Sequence, residues 1–280
     1  MIKKILFADS GTGQSEEMLK FLMEIPAIKD AHVTILHVVP GRIGSDQMTE
    51  KLEAGGKMLA KAIEFLGLPP EQVSPMLQQG EPKDLVLRVA DSVDADLIVM
   101  GSRGLKRLQS ILENSVSQYV FQLSGRPMLL VKDDIYVKRI NRVMVAIDKS
   151  DASQQALQLG LFLTRDIKGS QLILTHVDAK RKPDEVISGE SDEVLAGAIA
   201  EAKKFGVGYK AISAGGRAGE TICRLADDNN ADLLLLGSPD RRPSVAKGLP
   251  DLDRLLGSSL SDYVRVYANC PVLLTRIPSA

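Results

Sequence analysis

A glycine-containing motif of a type that can bind phosphate occurs twice in the chain. Residues 95–101 and 231–237 are apolar runs that end in glycine, and segments rich in serine follow at residues 114–117 and 257–261. An apolar run closed by glycine is typical of a buried strand that meets a tight turn. A Gly/Ser pair that opens a helix leaves backbone N–H groups at the positive end of the helix dipole. The pattern therefore predicts a site for phosphate in each copy.

The repeat predicts two domains of common ancestry. Ala8 corresponds to Ala146, Gly101 to Gly237 and Pro127 to Pro271. Each copy has the size of a whole domain and is long enough to bury a core without disulfides or metal. We predict domains at residues 1–133 and 140–280, joined by a short charged link, with an insertion in the second copy near residues 239–256.

Apolar strand patterns alternate with helical patterns in both copies, which predicts parallel strands with right-handed crossovers. The strands are continuous apolar runs, as expected when helices cover both faces of a sheet. We therefore predict an α/β fold: two tandem doubly wound, Rossmann-like domains with parallel sheets. Ligands bind such folds at the carboxyl ends of the strands. The polar residues 180–193 are predicted to form a loop.

The composition excludes several classes of function. The net charge of −1 argues against a nucleic-acid partner, and the 4% aromatic content without Trp argues against base stacking. No apolar run approaches the roughly 20 residues of a membrane helix, and the chain start reaches Asp9 too soon for a secretory signal. Cys223 and Cys270 lie in no metal-binding pattern. We expect a cytoplasmic protein with no membrane segment and no metal ligands of its own.

The spacing of the first copy is Gly101, Gly104 and then Asn114-Ser115. With the turn after the first strand, the His-Val that ends the second, and the Gly-x-Pro at residues 80–82, this spacing resembles the universal stress protein family. The family signature is Gly, two residues, Gly, nine residues, Gly, then Ser or Thr. The resemblance covers nearly the whole chain, one domain per copy, and implies a fold like that of the adenine nucleotide alpha hydrolases.

The resemblance implies that one domain binds an adenine nucleotide, ATP or AMP, with Mg²⁺ as an accompanying ion. Residues at the ends of the first two strands would hold the adenosine, and the glycine loop and helix start would hold the phosphates. In the first copy these positions are Ala8, Asp9, Ser10, Val38, Gly101, Gly104, Asn114, Ser115 and Val116. In the second copy they are Ala146, Asp148, Val177, Gly237, Gly257, Ser258 and Ser259.

Both copies depart from the family pattern. In the first copy, Asn114 replaces the third glycine. Ser10 stands at the position of the family aspartate after strand one, and Asp9 lies one residue before that position. In the second, Asp148 is in place but Asp240 replaces the second glycine. A carboxylate near phosphates is repulsive unless a cation intervenes, so we favour the first copy for the phosphates. The insertion, with Arg241, Arg242 and Lys247, either forms a lid over the binding site of the second copy or fills that site itself.

The resemblance further implies a regulatory protein of a stress or metabolic response. It implies that the two domains pack as a pseudo-twofold pair through their fifth strands. Homodimers of the whole chain and an unknown protein partner are also consistent with it. Slow ATP hydrolysis is compatible with the resemblance, but the sequence provides no catalytic residue for it, and no dedicated enzyme is expected.

Two alternatives stay open. Residues 10–16 after the first strand resemble the phosphate loop of flavodoxins, which would bind FMN, although the second copy has no such loop. Alternatively, both copies have lost nucleotide binding and the protein is an interaction scaffold. His37 and His176 occupy matching strand ends and are predicted to be hydrogen-bonded structural residues. Gly101 and Gly237 are both compatible with purely structural turns from strand to helix.

Overall fold

The computed structural model describes residues 2–11, 15–41, 45–102, 115–136, 139–238 and 259–277. The chain divides into two compact units. The first comprises residues 1–24 and 28–136, and the second comprises residues 25–27 and 137–280. We refer to them as the first half and the second half. Each half is an α/β unit in which helices alternate with mostly parallel strands, which confirms the predicted fold class.

Five parallel strands form the sheet of the first half in the order β3-β2-β1-β4-β5. Its elements are β1 (Lys4–Ala8), α1 (Ser15–Met23), β2 (His32–Pro40), α2 (Ser45–Leu66), β3 (Val73–Gly80), α3 (Pro82–Ser92), β4 (Leu97–Ser102), α4 (Val116–Leu123) and β5 (Met128–Lys132). The strand order reverses between β1 and β4. In open α/β sheets the crevice at such a reversal is where ligands bind, so the topology places a candidate site at the carboxyl ends of β1 and β4.

The strands of the first half form where apolar residues are continuous. Ile5, Leu6 and Phe7 of β1 are each at most 1% exposed, and Leu97, Ile98 and Val99 of β4 are fully buried. A strand with both faces buried is expected when helices cover a parallel sheet. These apolar runs fix the two central strands, and the polar residues that follow them are left at the carboxyl edge of the sheet.

The second half contains six strands in the order β11-β10-β6-β7-β9-β8, all parallel except β8, which pairs antiparallel with β9. Its elements are β6 (Arg142–Ala146), α5 (Asp151–Thr164), β7 (Gln171–Asp178), β8 (Val186–Ser188), α6 (Ala196–Lys204), β9 (Tyr209–Gly215), α7 (Ala218–Asp228), β10 (Leu233–Gly237), α8 (Leu260–Tyr267) and β11 (Val272–Thr275). The order reverses between β6 and β10, as it does between β1 and β4.

The prediction of a loop at residues 180–193 is wrong in part, because this segment contains strand β8 and a short 3-10 turn at Gly189–Ser191. The turn packs tightly on β9: a Cβ on Gly189 would lie 2.8 Å from the backbone nitrogen of Ile212. Only a glycine allows this approach of two backbones. In the first half the corresponding connection is the long helix α2, so the two halves differ most beside their second strands.

None of the helices in the described ranges is long and apolar enough to cross a membrane. Within the same ranges no three His, Cys, Asp or Glu side chains come together in an arrangement that could hold a metal ion.

Candidate functional site

A cavity of about 480 Å³ lies at the carboxyl edge of the first-half sheet. Its walls come from the ends of β1, β2 and β4, from the start of α4, and from one face of α2. Cavities of roughly 300–1,000 Å³ are typical of small-molecule sites. The cavity therefore lies where the strand order predicts a ligand, and it has the volume for one.

Most of the site residues predicted for the first copy come together here. Seven of them line the cavity: Ala8, Asp9, Ser10, Val38, Gly101, Ser115 and Val116. The other two, Gly104 and Asn114, lie outside the described residues. The sequence analysis did not include Lys51, Ala54, Gly55 and Met58 of α2, which form another wall. Their spacing of i, i+3, i+4 and i+7 identifies one face of a helix, and this was the signal that could have found them.

Asp9 organises the turn after β1. Its backbone N–H donates to the carbonyl of Leu36 over 2.9 Å, and its carbonyl accepts from Nδ1 of His37 over 2.9 Å. Its Oδ1 accepts from the backbone N–H of Gly11 over 2.8 Å, and Gly11 has a φ of 71°. His37 is thus hydrogen bonded, as predicted. These contacts hold the end of β1 against the end of β2 and fix the backbone that forms the cavity wall.

Among the described residues Oδ2 of Asp9 has no hydrogen-bond partner, although Asp9 is only 4% exposed. The Glu16 side chain in the first turn of α1 faces this carboxylate. Burial raises the pKa of Glu16, and the charge and hydrogen bonding of Asp9 raise it further. Two carboxyl groups at such close range favour a state in which one of them keeps its proton.

The start of α4 has hydroxyl and backbone N–H groups of the kind that bind an anion. Ser115 is the N-cap residue, and its hydroxyl accepts from the backbone N–H of Gln118 at 3.5 Å and lies 2.9 Å from the Ser117 hydroxyl. The first turn of α4 contains no acidic residue. The first N–H groups of a helix have no partner within the helix, and the dipole favours an anion there. Because Ser115, Val116 and Ser117 line the cavity, an anionic group of a ligand would be favoured at this end.

The matching helix start in the second half already holds a carboxylate. Ser259 caps α8, and its hydroxyl donates to Oδ2 of Asp262 over 2.6 Å while accepting from the Asp262 backbone N–H at 3.2 Å. The Ser261 hydroxyl accepts from Ser238 at 3.2 Å, and Asp262 pairs with buried Arg265 at 3.6 Å. The hydroxyl and the dipole of this helix start are thus satisfied by the chain itself.

The remaining residues predicted for the second copy have structural contacts. Asp148 Oδ1 accepts from both the backbone N–H and the hydroxyl of Ser150, at 2.8 and 2.6 Å, and so shapes the turn before α5. Gly237 ends β10 against α5, where a Cβ would lie 2.4 Å from the carbonyl carbon of Ala152. Ala146 ends β6 and Val177 lies in β7. Gly257, Ser258 and Asp240, with the predicted lid, lie outside the described residues.

A buried polar cluster stands at the end of β7. His176 Nδ1 lies 2.8 Å from Oδ2 of Asp192, and the same oxygen accepts from the Ser213 hydroxyl at 2.5 Å. Burial alone would raise the pKa of Asp192, but the hydrogen bonds from Ser213, His176 and the Val194 backbone N–H outweigh it, so the pKa is lowered. His176 matches His37 by position in the repeat, and in the second half a carboxylate of the chain itself is its partner.

Comparison with known proteins gives a consistent result across the chain. A family model described as the Universal stress protein family matches residues 1–132 and 139–276. A universal stress protein of Thermus aquaticus is 32% identical over 139 residues, which cover 47% of this chain and all of the relative. The universal stress protein YxiE of Bacillus subtilis is 30% identical over 148 residues, again 47% of this chain and all of the relative.

Among solved structures, a universal stress protein from Archaeoglobus fulgidus matches with a TM-score of 0.78 at 22% identity. The match covers 99% of this chain and 97% of that one. At this identity the likeness concerns the fold, and it extends over both halves.

Proposed function

We propose a function from one established premise, which is that the chain belongs to the universal stress protein family. The proposal is that the first half binds an adenine nucleotide, ATP or AMP, in the cavity at the carboxyl ends of β1, β2 and β4. Binding would make the protein a sensor in a stress or metabolic response. The predicted residues Gly104 and Asn114, next to the described part of the site, belong to this proposal.

The observation that carries the proposal is the cavity of about 480 Å³ that seven predicted site residues line. Apolar walls from β2 and from Ala54, Gly55 and Met58 of α2 suit a flat base, and the capped start of α4 suits a phosphate. Both kinds of surface belong to the same half and line one cavity.

The contrast between the two halves supports the assignment to the first. The N-cap residues Ser115 and Ser259 are equivalent in their helices, but the residue three positions later is Gln118 in the first half and Asp262 in the second. A carboxylate at a helix start takes the position that a phosphate would favour and repels a second anion. We therefore propose that the second half has a structural role and does not hold the phosphates.

Magnesium fits the donor groups of the first half. Mg²⁺ prefers oxygen ligands and is commonly held by one or two carboxylates together with phosphates and waters. Asp9 provides a carboxylate at the cavity, and its Oδ2 has no hydrogen-bond partner in the part of the chain that the structure describes. We propose that Mg²⁺ accompanies ATP here and offsets the repulsion between this carboxylate and the phosphates. Slow ATP hydrolysis, a cytoplasmic location, the pairing of the two halves and an unknown protein partner stay predictions from the sequence.

Thermal stability of the purified protein tests the proposal. A ligand that binds only the native state raises the unfolding midpoint, by an amount that grows with its concentration over Kd. The midpoint is measured with ATP, AMP and FMN, each with and without Mg²⁺, after any bound nucleotide has been removed by unfolding and refolding. A rise with ATP or AMP supports the proposal. A rise with FMN alone would replace it by a flavodoxin-like function, and no rise with any of them would indicate an interaction scaffold.

A further inference from the structure

One face of helix α2 forms a wall of the first-half cavity. Lys51, Ala54, Gly55 and Met58 all line it. Residues at this spacing lie above one another on a single helix face. The wall is therefore a continuous stripe, with two small residues in the middle, a flexible apolar side chain at one end and a lysine at the other.

Close packing fixes α2 in this position. A Cβ on Gly55 would lie 2.8 Å from Cδ1 of Leu77 and 2.9 Å from Cδ2 of His37, so the helix lies directly on β2 and β3. One turn further on, Met58 packs over Gly11, where a Cβ would lie 2.2 Å from its sulfur. Because Lys51 precedes Gly55 by one turn on the same face, these contacts hold its backbone beside the cavity.

Lys51 also brings a positive charge to the cavity. The carboxyl side chains among the lining residues are Asp9 and Asp133. Among the described residues that line the cavity, Lys51 is the one lysine or arginine. No hydrogen bond or ion pair joins its side chain to another described residue. A phosphate that enters this cavity comes near the Asp9 carboxylate, and the ammonium group of Lys51 offsets that repulsion.

We propose that Lys51 recognises a phosphate of the ligand and makes the cavity selective for phosphorylated adenine compounds over adenosine. The inference rests on the proposed function, which it deepens by naming the residue that selects the ligand class. Gly55 and Met58 place Lys51, and its flexible stem allows the ammonium to reach the anion.

The variant K51Q tests this assignment, with K57Q as the matched control. Lys57 is an exposed lysine of the same helix that does not line the cavity. Both changes leave an exposed helix position with a residue of similar helix propensity, so both variants are expected to fold. Isothermal titration calorimetry measures Kd for AMP, adenosine and inorganic triphosphate with wild type and both variants. An exposed charge pair of this kind corresponds to about a fivefold change in affinity.

We expect K51Q to weaken the binding of AMP about fivefold and to leave the binding of adenosine unchanged. K57Q is expected to bind both compounds as wild type does. The inference is overturned if K51Q binds AMP as tightly as wild type, if it loses adenosine and AMP equally, or if wild type binds nothing. If wild type binds triphosphate through Lys51 but no adenine compound, the role of Lys51 stands and the proposed nucleotide function falls.

Discussion

The hydroxyl of Ser259 donates to Oδ2 of Asp262 over 2.6 Å at the start of α8. At the start of α4 the equivalent positions are Ser115 and Gln118, where no carboxylate is present. The two helix starts are otherwise alike, since each begins with a serine N-cap and has a second serine two residues later. The carboxylate of Asp262 therefore distinguishes the start of α8 from the start of α4.

Replacing Gln118 by aspartate is expected to close the first-half site. The Gln118 side chain is 8% exposed at the start of α4, and a carboxylate there would bind the Ser115 hydroxyl as Asp262 binds Ser259. We expect Q118D to weaken the binding of AMP at least about tenfold, because the new charge repels the phosphate at short range. Titration calorimetry of AMP measures the change.

The isosteric control is Q118N, which keeps the position neutral and is expected to bind AMP within about threefold of wild type. Circular dichroism confirms that both variants are folded. Unchanged affinity in Q118D would show that the start of α4 does not hold the phosphate.

The pair of Asp262 and Arg265 is expected to stabilise the second half. Their side chains are 7% and 3% exposed, and burial lowers the pKa of Arg265 while the charge of Asp262 opposes that shift. Removing one partner leaves the other charge buried without compensation. We expect D262N to lower the free energy of unfolding by about 3 kcal/mol, measured by urea denaturation.

The control for this change is D228N, which breaks an exposed pair with Arg224 on α7. Exposed pairs contribute little, so the expected loss is under about 1 kcal/mol. Equal losses in the two variants would contradict a special role for the buried pair.

The extent to which the sequence predicted this structure depends on how local each signal is. The alternation of helices and strands could be predicted, because apolar periodicity and capping residues act within a few positions, as in the helices Ser15–Met23 and Leu260–Tyr267 and the strand Val272–Thr275. Strand β8 was missed because three residues with one neighbour give no periodic signal.

The candidate site shows the same division. Residues of the two glycine motifs and the strand ends could be named from the resemblance to the universal stress protein family, and those in the described part of the first half line one cavity. The wall formed by α2 was not predicted. The spacing of its residues marks one helix face, but what that face packs against depends on Gly55 meeting Leu77 and His37, which are distant in sequence.

Asp192 is expected to make the stability of the second half depend on acid pH. Its folded pKa lies below the ordinary value of 3.8 because Ser213, His176 and the Val194 backbone N–H bind the carboxylate. A group with a lowered pKa contributes stability above its unfolded pKa and loses that contribution as the pH falls through its folded pKa. We expect D192N to be about 2 kcal/mol less stable than wild type at pH 7.

The measurement is urea denaturation of wild type and D192N between pH 7 and pH 3. The difference between the two proteins is expected to stay constant down to about pH 4 and to shrink below it. Ser213→Ala serves as the companion variant, because it removes one donor to the carboxylate and keeps its charge. A difference that is independent of pH would show that the carboxylate charge is not what Asp192 contributes.

Glu16 is expected to show the opposite dependence. Burial and the neighbouring Asp9 raise its pKa above 4.5, so the folded protein binds this proton more tightly than the unfolded chain does. The stability that the proton provides is present below the unfolded pKa and is lost as the pH rises through the folded pKa. We therefore expect E16Q to melt at a higher temperature than wild type at pH 7.5, with the gap closing on acidification toward pH 4.

Coupling to Asp9 is tested by repeating the comparison in a D9N background. Without the Asp9 charge the Glu16 carboxyl loses one cause of its raised pKa, and the gap at pH 7.5 is expected to become smaller. A gap of the same size in both backgrounds would contradict the coupling between the two carboxyl groups.

Gly237 is expected to be essential for folding of the second half, whatever that half binds. A Cβ at this position would lie 2.4 Å from the carbonyl carbon of Ala152 and 2.4 Å from the backbone nitrogen of Ser153. Backbone atoms of a buried helix cannot move aside as a flexible side chain can, so α5 would have to shift away from the sheet. We expect G237A to lower the free energy of unfolding by about 3 kcal/mol.

Gly197 in α6 is the matched control, because a Cβ there meets nothing within 4 Å and alanine favours the helix by up to about 1 kcal/mol. G197A should therefore raise the unfolding midpoint, whereas a G237A protein as stable as wild type would show that α5 has room to move and that Gly237 is not required by packing.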